Sequence, residues 1–212
     1  MRAAFAYRAP AAAAIVLLLL WSGCLHAAGA LNLEQLRKRL AGHEHVRYEF
    51  IYEQPLPRLG GVPLITRGWL IISAAHGVHV RQTFPIVLEY TVTEDFIARR
   101  LPFGERRFKT GETHPKYVRY RPLLRGFIRG DYAALGALFD LEFTDLGGGE
   151  WQLRLTPRDE ELQGKLQALQ LRGHDFLSEV VMWDKHGEPR RVELFHAADI
   201  VADEGMTRYF AR

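Results

Sequence analysis

The feature that most constrains the fold is a run of strand-like segments separated by tight turns, from Gly130 to Phe195. Phe139-Asp-Leu-Glu-Phe143 alternates apolar and polar residues, a Gly-Gly-Gly turn follows, and Trp151-Gln-Leu-Arg-Leu-Thr-Pro157 alternates again. Two further strands, Phe176–Trp183 and Arg190–Phe195, flank a polar turn that contains glycine. Alternation at a period of two places the apolar side chains on one face of a strand. The second half of the chain therefore predicts a sheet of short strands with tight turns.

The first half of the mature chain predicts one helix followed by more strands. Asn32 can cap a helix, Gln35 stands where a capping box has its partner, and leucines recur at helical spacing over Leu33–Leu40. From Val46 to Glu53 the period changes to two, which indicates a strand. Further strands are predicted at Ile65–Ser73, Val78–Thr83, Ile86–Thr93 and Asp95–Leu101. Short connections between them are typical of an antiparallel meander.

The centre of the chain predicts a basic loop and a helical segment. Phe103–Pro115 contains glycine and several basic residues, so we interpret it as a loop, either a solvated surface or a patch for an anionic partner. Tyr117–Leu138 is predicted to be mostly helical, broken at its glycines, with Asp131 as the cap of its last part. Residues 166–171 are interpreted as a strand.

The N-terminus predicts export from the cytoplasm. Residues 1–30 combine two arginines, an apolar run and small residues before Leu31, as in a cleavable signal peptide, and 31–212 then form a single domain. Without Arg2 and Arg8 the formal charge of +3 falls to +1, so the charge balance does not call for a nucleic-acid partner. Cys24 follows Ser-Gly as in a lipoprotein signal, and its acylation would instead anchor the protein to a membrane.

The residues that could carry chemistry do not form a recognisable catalytic or metal-binding motif. The pairs His43/His45 and His76/His79 lack the third and fourth ligands that a zinc site needs. Ser73 and Ser178 do not stand in a nucleophile elbow, and Gly147–Gly149 lies between strands where it cannot open a phosphate-binding helix. We therefore expect a protein that is not an enzyme and that uses neither a metal nor a cofactor.

Large aromatic residues are spread over many of the predicted strands. They include Phe50, Trp69, Phe143, Trp151 and Trp183. Two interpretations remain open from the residues alone: the aromatics fill a core, or they line a hydrophobic cavity between a curved sheet and a helical lid.

The order of elements and several local patterns resemble the LolA family of periplasmic lipoprotein carriers, over roughly Leu31 to Ala198. The patterns are Phe50–Gln54 followed by Pro55-Leu-Pro57, Gly68-Trp-Leu70, His76-Gly-Val78, Phe84-Pro85, Trp151–Pro157, Met182-Trp-Asp-Lys-His-Gly187 and Arg191–Phe195. The resemblance implies an α+β, mainly antiparallel fold of the LolA/LolB type, an incomplete β-barrel with a helical lid. The family's Arg-Pro pair is missing from Ser73–Arg81, where Arg81 is the available substitute.

The resemblance also implies a function. A monomeric periplasmic carrier would bind the acyl chains of lipoproteins, or a related lipid, and move them from an inner-membrane exporter toward an outer-membrane acceptor. The predicted lid is Leu33–Leu40 together with Leu123–Leu138. The predicted cavity lining is Phe50, Trp69, Ile71, Phe143, Trp151, Leu153, Val180 and Met182. Two alternatives stay open: an envelope interaction module with a filled core, and a membrane-anchored acceptor of the LolB type if Cys24 is acylated.

Overall fold

Eleven antiparallel strands form one open sheet in the part of the chain that the structure describes. The computed structural model describes residues 31–56, 62–93, 95–109, 126, 132–201 and 209–210, with the backbone only for 105–109. The first half contains helix α1 (Leu33–Ala41) and strands β1 (His45–Gln54), β2 (Leu64–Ser73), β3 (Gly77–Phe84), β4 (Leu88–Val92), β5 (Phe96–Leu101) and β6 (Gly104–Lys109). The second half contains helix α2 (Tyr132–Gly136), strands β7 (Phe139–Gly147) and β8 (Glu150–Pro157), helix α3 (Glu160–Gln163), and strands β9 (Leu166–Gly173), β10 (Leu177–Asp184) and β11 (Pro189–Asp199).

The sheet has the spatial order β6-β5-β4-β3-β2-β1-β11-β10-β9-β8-β7. Each half is thus a meander, and the two meanders meet where β1 pairs with β11. Since β6 and β7 end the order, the sheet is open among the described residues. Within them, no helix has both the length and the apolar character to cross a membrane. This open sheet with a helix on one face confirms the predicted α+β, mainly antiparallel fold class.

The register assigns the side chains to two faces, because directly paired residues of an antiparallel sheet lie on the same side. Phe50 pairs with Leu194, and Leu153 pairs with Leu171. We call the side of these residues the helical face, because Leu36 of α1 packs against Leu153 and Leu171 in one buried cluster. The other side is called the opposite face.

Helix α1 begins and ends as the sequence predicts. The side chain of Asn32 accepts a hydrogen bond from the backbone of Gln35 at 2.9 Å, and the side chain of Gln35 accepts one from the backbone of Asn32 at the same distance. This capping box satisfies two backbone groups that a helix start leaves open. The helix ends at Ala41, with Gly42 as its cap.

The predicted strands are confirmed with shifts of one to four residues at their ends, including β9, which runs to Gly173. The Gly-Gly-Gly turn joins β7 to β8, and all three of its glycines, Gly147–Gly149, have positive φ. Such backbone angles are easily reached only by glycine. The predicted interruption at Pro85 separates β3 from β4, and the Phe84–Pro85 bond is cis.

Two predictions for the centre of the chain need correction. The segment Gly104–Lys109 was expected in a loop, but it forms β6 and pairs with β5 through a two-residue turn, Leu101 opposite Gly104. Its basic residues misled the interpretation because an edge strand tolerates charge better than an inner one. The predicted helical segment was expected to break at its glycines, but Gly126 is itself helical. The last part of the segment, expected to reach Leu138, forms α2 and ends at Gly136. Residues 110–125 and 127–131, including the predicted cap Asp131, lie outside the described residues.

Candidate ligand-binding site

The apolar side chains of the helical face form two adjoining clusters. The first lies under α1 and α2 and is made of Leu36, Leu135, Leu138, Phe139, Trp151, Leu153, Leu155, Leu162 and Leu171. The second lies where the two meanders meet and is made of Val46, Tyr48, Phe50 and Leu194. Leu177 and Val180 of β10 pack against both clusters, so the apolar surface is continuous across the sheet.

Helix α1 is fastened at its N-terminal end by one carboxylate. The Asp145 side chain accepts a hydrogen bond from the backbone N–H of Leu31 at 2.7 Å and another from that of Gly147 at 2.9 Å. The Gly147 and Leu31 N–H groups favour the charged form and lower the pKa of the Asp145 carboxyl. The start of the helix is thereby attached to the end of β7.

At its C-terminal end, α1 is fastened by Arg39 and by the residue after its cap. The Arg39 guanidinium donates to the carbonyl of Gly149 at 2.9 Å and to that of His174 at 3.3 Å. His43 Nδ1 lies 2.9 Å from Asp199 Oδ1, and the His43 ring lies 4.3 Å from that of Phe176. The start of the helix is therefore held at the end of β7, and its last turn is held at the β7–β8 and β9–β10 turns and, through His43, at the end of β11.

Beside this end of α1, strands β10 and β11 separate and leave a groove. Their ladder ends at Glu179 opposite Glu193, although β11 continues along β1 as far as Asp199. The register between β1 and β11 shifts between Arg47 and Glu49, and His196 has a φ of 51°. Such an irregularity bends a strand away from its neighbour. We call the resulting space the β10–β11 groove.

The groove has a volume of about 700 Å³ and is lined by both apolar and polar side chains. Its apolar lining comes from Leu146, Trp151, Phe176, Leu177, Leu194, Phe195 and Ala197. Its polar lining comes from Glu150, Arg172, His174, Asp175, Ser178, Glu179 and His196. The Trp151 indole N–H donates to the carbonyl of His174 at 2.7 Å, which satisfies its polar atom and fixes the β9–β10 turn. The groove shares Trp151 with the first cluster and Leu194 with the second.

A buried tyrosine lies in the second cluster. Tyr48 is 4% exposed, and burial raises the pKa of its phenol to about 12, against a hydrogen bond from the Leu177 backbone that lowers it. The phenol is therefore neutral at physiological pH. A neutral hydroxyl in an apolar cluster does not repel an apolar ligand as a charged group would.

Six of the eight residues predicted to line a cavity do lie on the helical face. Trp151 and Leu153 are buried in the first cluster, where Phe143 and Val180 pack against them. Phe50 is buried in the second cluster, and Met182 is half-buried on β10, opposite Leu169. Leu153 is 0% exposed, so protein atoms already surround it. Of the eight, Trp151 is the residue that also lines the groove.

Trp69 and Ile71 do not join these six, because they lie on the opposite face. They pair with Glu49 and Arg47, whereas the helical face of β1 carries Phe50. Ile71 is buried there with Phe210, and the Trp69 ring lies 5.6 Å from that of Tyr209. Arg81, the expected substitute for the missing Arg-Pro pair, is on the opposite face too, 3.2 Å from Glu89, whereas α1 packs on the helical face.

Sequence reasoning missed the groove residues Phe176, Leu177, Leu194 and Phe195. They stand where the β10–β11 ladder stops, and a groove arises there from the different lengths of two ladders rather than from a local pattern. The predicted lid segment Leu123–Leu138 lies largely outside the described residues; its described part, α2, packs Leu135 into the first cluster. Among the residues that the structure places, no three His, Cys, Asp or Glu side chains gather as metal ligands.

No protein-family model and no curated protein sequence matches this chain. Among solved structures it is similar to a LolA superfamily protein from Nitrosomonas europaea, at 11% identity and a TM-score of 0.46, over 86% of this chain and 99% of that one. It is also similar to the MucA/MucB complex of Pseudomonas aeruginosa, at 13% identity and a TM-score of 0.47, over 83% and 60%. A putative outer membrane lipoprotein-sorting protein domain from Vibrio parahaemolyticus matches at 9% identity and a TM-score of 0.41, over 88% and 100%.

Proposed function

We propose that this chain is a non-enzymatic carrier of the bacterial envelope that binds an acyl chain in the β10–β11 groove. The observation that carries the proposal is the groove itself, a space of about 700 Å³ with apolar and polar lining that shares Trp151 and Leu194 with the two clusters of the helical face. Ligand pockets of small molecules typically measure about 300–1,000 Å³ and combine an apolar lining with a few polar groups.

The lining suits a long aliphatic chain with a polar end. Each methylene group transferred from water to an apolar site contributes about 0.8 kcal/mol, so a chain on Phe176 and Leu177 gains affinity with its length. The polar end would stay at the polar part of the lining, near His174, Ser178 and Arg172. Binding of this kind needs no covalent step, and release needs only a competing apolar site.

The transport route belongs to the same proposal. Residues 1–30 act as an export signal, and 31–212 work as one monomeric domain in the periplasm. The cargo is the acyl part of a lipoprotein or a related lipid, received from an inner-membrane exporter and passed to an outer-membrane acceptor. Helix α1 acts as the lid. Opening would break its end contacts through Asp145, Arg39 and His43 and would lift Leu36 out of the first cluster.

A fluorescent fatty acid tests the groove directly. Phe176→Ser and Phe195→Ser remove apolar area from half-buried positions at its lining, so each variant should bind the probe about tenfold more weakly. The measurement is a fluorescence titration of the mature chain, with circular dichroism to check the fold.

Phe103→Ser serves as the matched control, because Phe103 is fully exposed and does not line the groove. It should bind the probe as the wild type does. Equal binding by all four proteins would assign the probe to another place, and no binding by the wild type would contradict the carrier function.

A second candidate function is an envelope interaction module with a filled core. The observation that favours it is the complete burial of Leu153, Leu155 and Leu36, which leaves no room beside these side chains. This candidate requires that the wild type take up no probe, which the same titration measures.

The third candidate, a membrane-anchored acceptor, differs only at the N-terminus. Mass spectrometry of the purified protein distinguishes the two forms. A first residue near Leu31 corresponds to the carrier, and an acylated Cys24 corresponds to the acceptor.

A further inference from the structure

Exposed apolar side chains gather at one end of the first meander. Strand β3 ends at Phe84 and β4 begins at Leu88, while β5 ends at Leu101 and β6 begins at Gly104. Because these neighbouring strands are antiparallel, both turns lie at the same end of the sheet, together with the start of β2 at Leu64. We call this region the loop end.

The loop end exposes large apolar side chains that the fold does not bury. Phe103 is 101% exposed, Val62 66%, Ile86 55%, Phe84 54%, Val87 46% and Leu64 40%. Among the described residues, only Leu146 and Val201 are large apolar side chains of comparable exposure elsewhere. Single exposed apolar residues are ordinary, but a contiguous group marks a surface that another phase or partner covers.

Arginines stand directly behind these apolar tips on both sides of the sheet. Arg99 shares the helical face with Tyr90, whereas Arg67 and Arg100 are on the opposite face, and all three are exposed. Two carboxylates stand among them: Glu89 is paired with Arg81 at 3.2 Å and with Arg100 at 3.4 Å, and Glu105 of β6 lies opposite Arg100 in the ladder. Strand β6 adds Arg106, Arg107 and Lys109 to the same part of the sequence. The charge balance behind the tips is therefore positive.

The spacing between tips and arginines matches the interface of a bilayer. Phe103 stands in the two-residue turn after Leu101, three residues beyond Arg100, so the arginine backbone lies at most about 10 Å behind the tip. Apolar groups of interfacial proteins enter the boundary between headgroups and acyl chains by about 5–10 Å. Guanidinium groups at that distance would reach lipid phosphates, which they bind well.

We propose that the loop end docks on the surface of an anionic lipid bilayer, with Phe103, Ile86 and Phe84 inserted and Arg99, Arg100 and Arg67 on the phosphates. The apolar tips favour a bilayer over a solvated surface, and the arginines favour anionic lipid over neutral lipid. Docking of this kind goes beyond binding of a cargo, because it gives the protein its own contact with the membrane. It would also explain the basic residues of β6, which follows Phe103 in the sequence.

Co-sedimentation with vesicles tests the proposal on the whole mature chain. One vesicle type is pure phosphatidylcholine, and the other also contains phosphatidylglycerol. The wild type should bind the anionic vesicles more tightly, and added salt should weaken that preference. Phe103→Ser and Ile86→Ser should each reduce binding to anionic vesicles about tenfold, because each removes an inserted side chain.

The charge is tested separately with Arg99→Gln and Arg100→Gln. Each should lower binding to anionic vesicles about fivefold and leave binding to neutral vesicles unchanged. Phe195→Ser is the matched control, since it changes a phenylalanine of the groove and not of the loop end; it should sediment as the wild type does. Conversely, Phe103→Ser and Ile86→Ser should keep the affinity for the fluorescent fatty acid, so failure of docking and failure of the carrier function are distinguished.

Two results would overturn the proposal. A wild type that stays in the supernatant with both vesicle types would assign the loop end to a protein partner instead. Phe103→Ser and Ile86→Ser variants that sediment like the wild type would show that other residues hold the membrane.

Discussion

The helical face and the opposite face of the sheet are both buried where the chain folds over them, but they are built from different side chains. Under α1, the fully buried residues are leucines, one phenylalanine and one tryptophan, such as Leu36, Phe139 and Trp151. On the opposite face, near β2 to β4, the buried residues include Ser73, His79 and Thr91. His79 Nδ1 lies 2.9 Å from Thr91 Oγ1, and the Thr91 hydroxyl donates to the carbonyl of Tyr209 at 3.3 Å.

This difference indicates how the two faces are used. On the helical face the apolar surface is continuous over two clusters, so an acyl chain could replace one of its apolar contacts with another, as the proposed carrier function requires. A face with buried polar groups holds one specific partner, since each polar atom needs its own hydrogen bond. Here that partner is the pair Tyr209–Phe210, which packs over Trp69, Ile71 and His79.

The largest expected effect comes from the core of the helical face. Leu153→Ala leaves a cavity among residues that are completely buried, so the free energy of unfolding should fall by about 2–5 kcal/mol. Chemical denaturation measures it. Leu146→Ala is the control: Leu146 is 47% exposed, and the change should stay within about 0.5 kcal/mol. Equal effects of the two substitutions would mean that the first cluster is not a packed core.

A smaller effect is expected where α1 is fastened over that face. Arg39→Met removes the hydrogen bonds to Gly149 and His174 and should lower the free energy of unfolding by about 1–3 kcal/mol. Because the end of the helix is freed, exchange of the fluorescent fatty acid should become faster in stopped-flow measurements. The neighbouring Lys38→Met changes a largely exposed side chain and should alter neither value. Unchanged exchange in Arg39→Met would contradict the role of α1 as a lid.

A still smaller loss of stability is expected from a substitution at the start of the same helix. Asn32→Ala removes the capping box and should cost about 1 kcal/mol in the free energy of unfolding. Hydrogen exchange should locate the loss to the first turn of α1. An effect spread evenly over the sheet would mean that the helix and the first cluster unfold together.

The smallest expected effect is a pH dependence of the free energy of unfolding that arises from His79 on the opposite face. Burial lowers the pKa of His79 below its ordinary value of 6.5; Glu89 opposes this shift, while Arg100 and Arg81 add to it. A lowered pKa means that the unfolded chain takes up the proton first. The stabilisation from neutral His79 is therefore complete above about pH 6.5 and decreases as the pH falls below it. This stabilisation is fully lost once the pH is below the pKa of His79 in the folded state.

Denaturation at several pH values measures this dependence. His79→Gln should flatten the loss of stability below pH 6.5, whereas His186→Gln, at an exposed position, should leave it unchanged. A wild type and a His79→Gln variant with parallel pH profiles would contradict the account of the opposite face.

The fold could be predicted from the sequence wherever alternation was clean. In β8, Trp151, Leu153 and Leu155 alternate with polar residues, and all three are buried on one face. In β2, apolar residues stand on both sides, Trp69 and Ile71 on one and Leu70 and Ile72 on the other. The pattern therefore predicts a strand but not which of these side chains face the helices. Only the pairing with β1 places Trp69 and Ile71 on the opposite face.

The candidate site was less predictable than the fold. The β10–β11 groove depends on where one ladder stops and another continues, at Glu193 and Asp199, and on the bulge near His196. These are relations between distant segments, and no local period encodes them. The loop end could not be predicted for the same reason, because Phe84 and Phe103 are brought to one end of the sheet only by the order of the strands.

The most direct test of the central claim is native mass spectrometry of the mature protein purified from its own envelope, followed by organic extraction of what is bound. The account predicts a lipid or an acylated polypeptide at close to one per chain, and its loss in Phe176→Ser and Phe195→Ser. A bare polypeptide mass, together with a wild type that takes up no fatty acid, would contradict it.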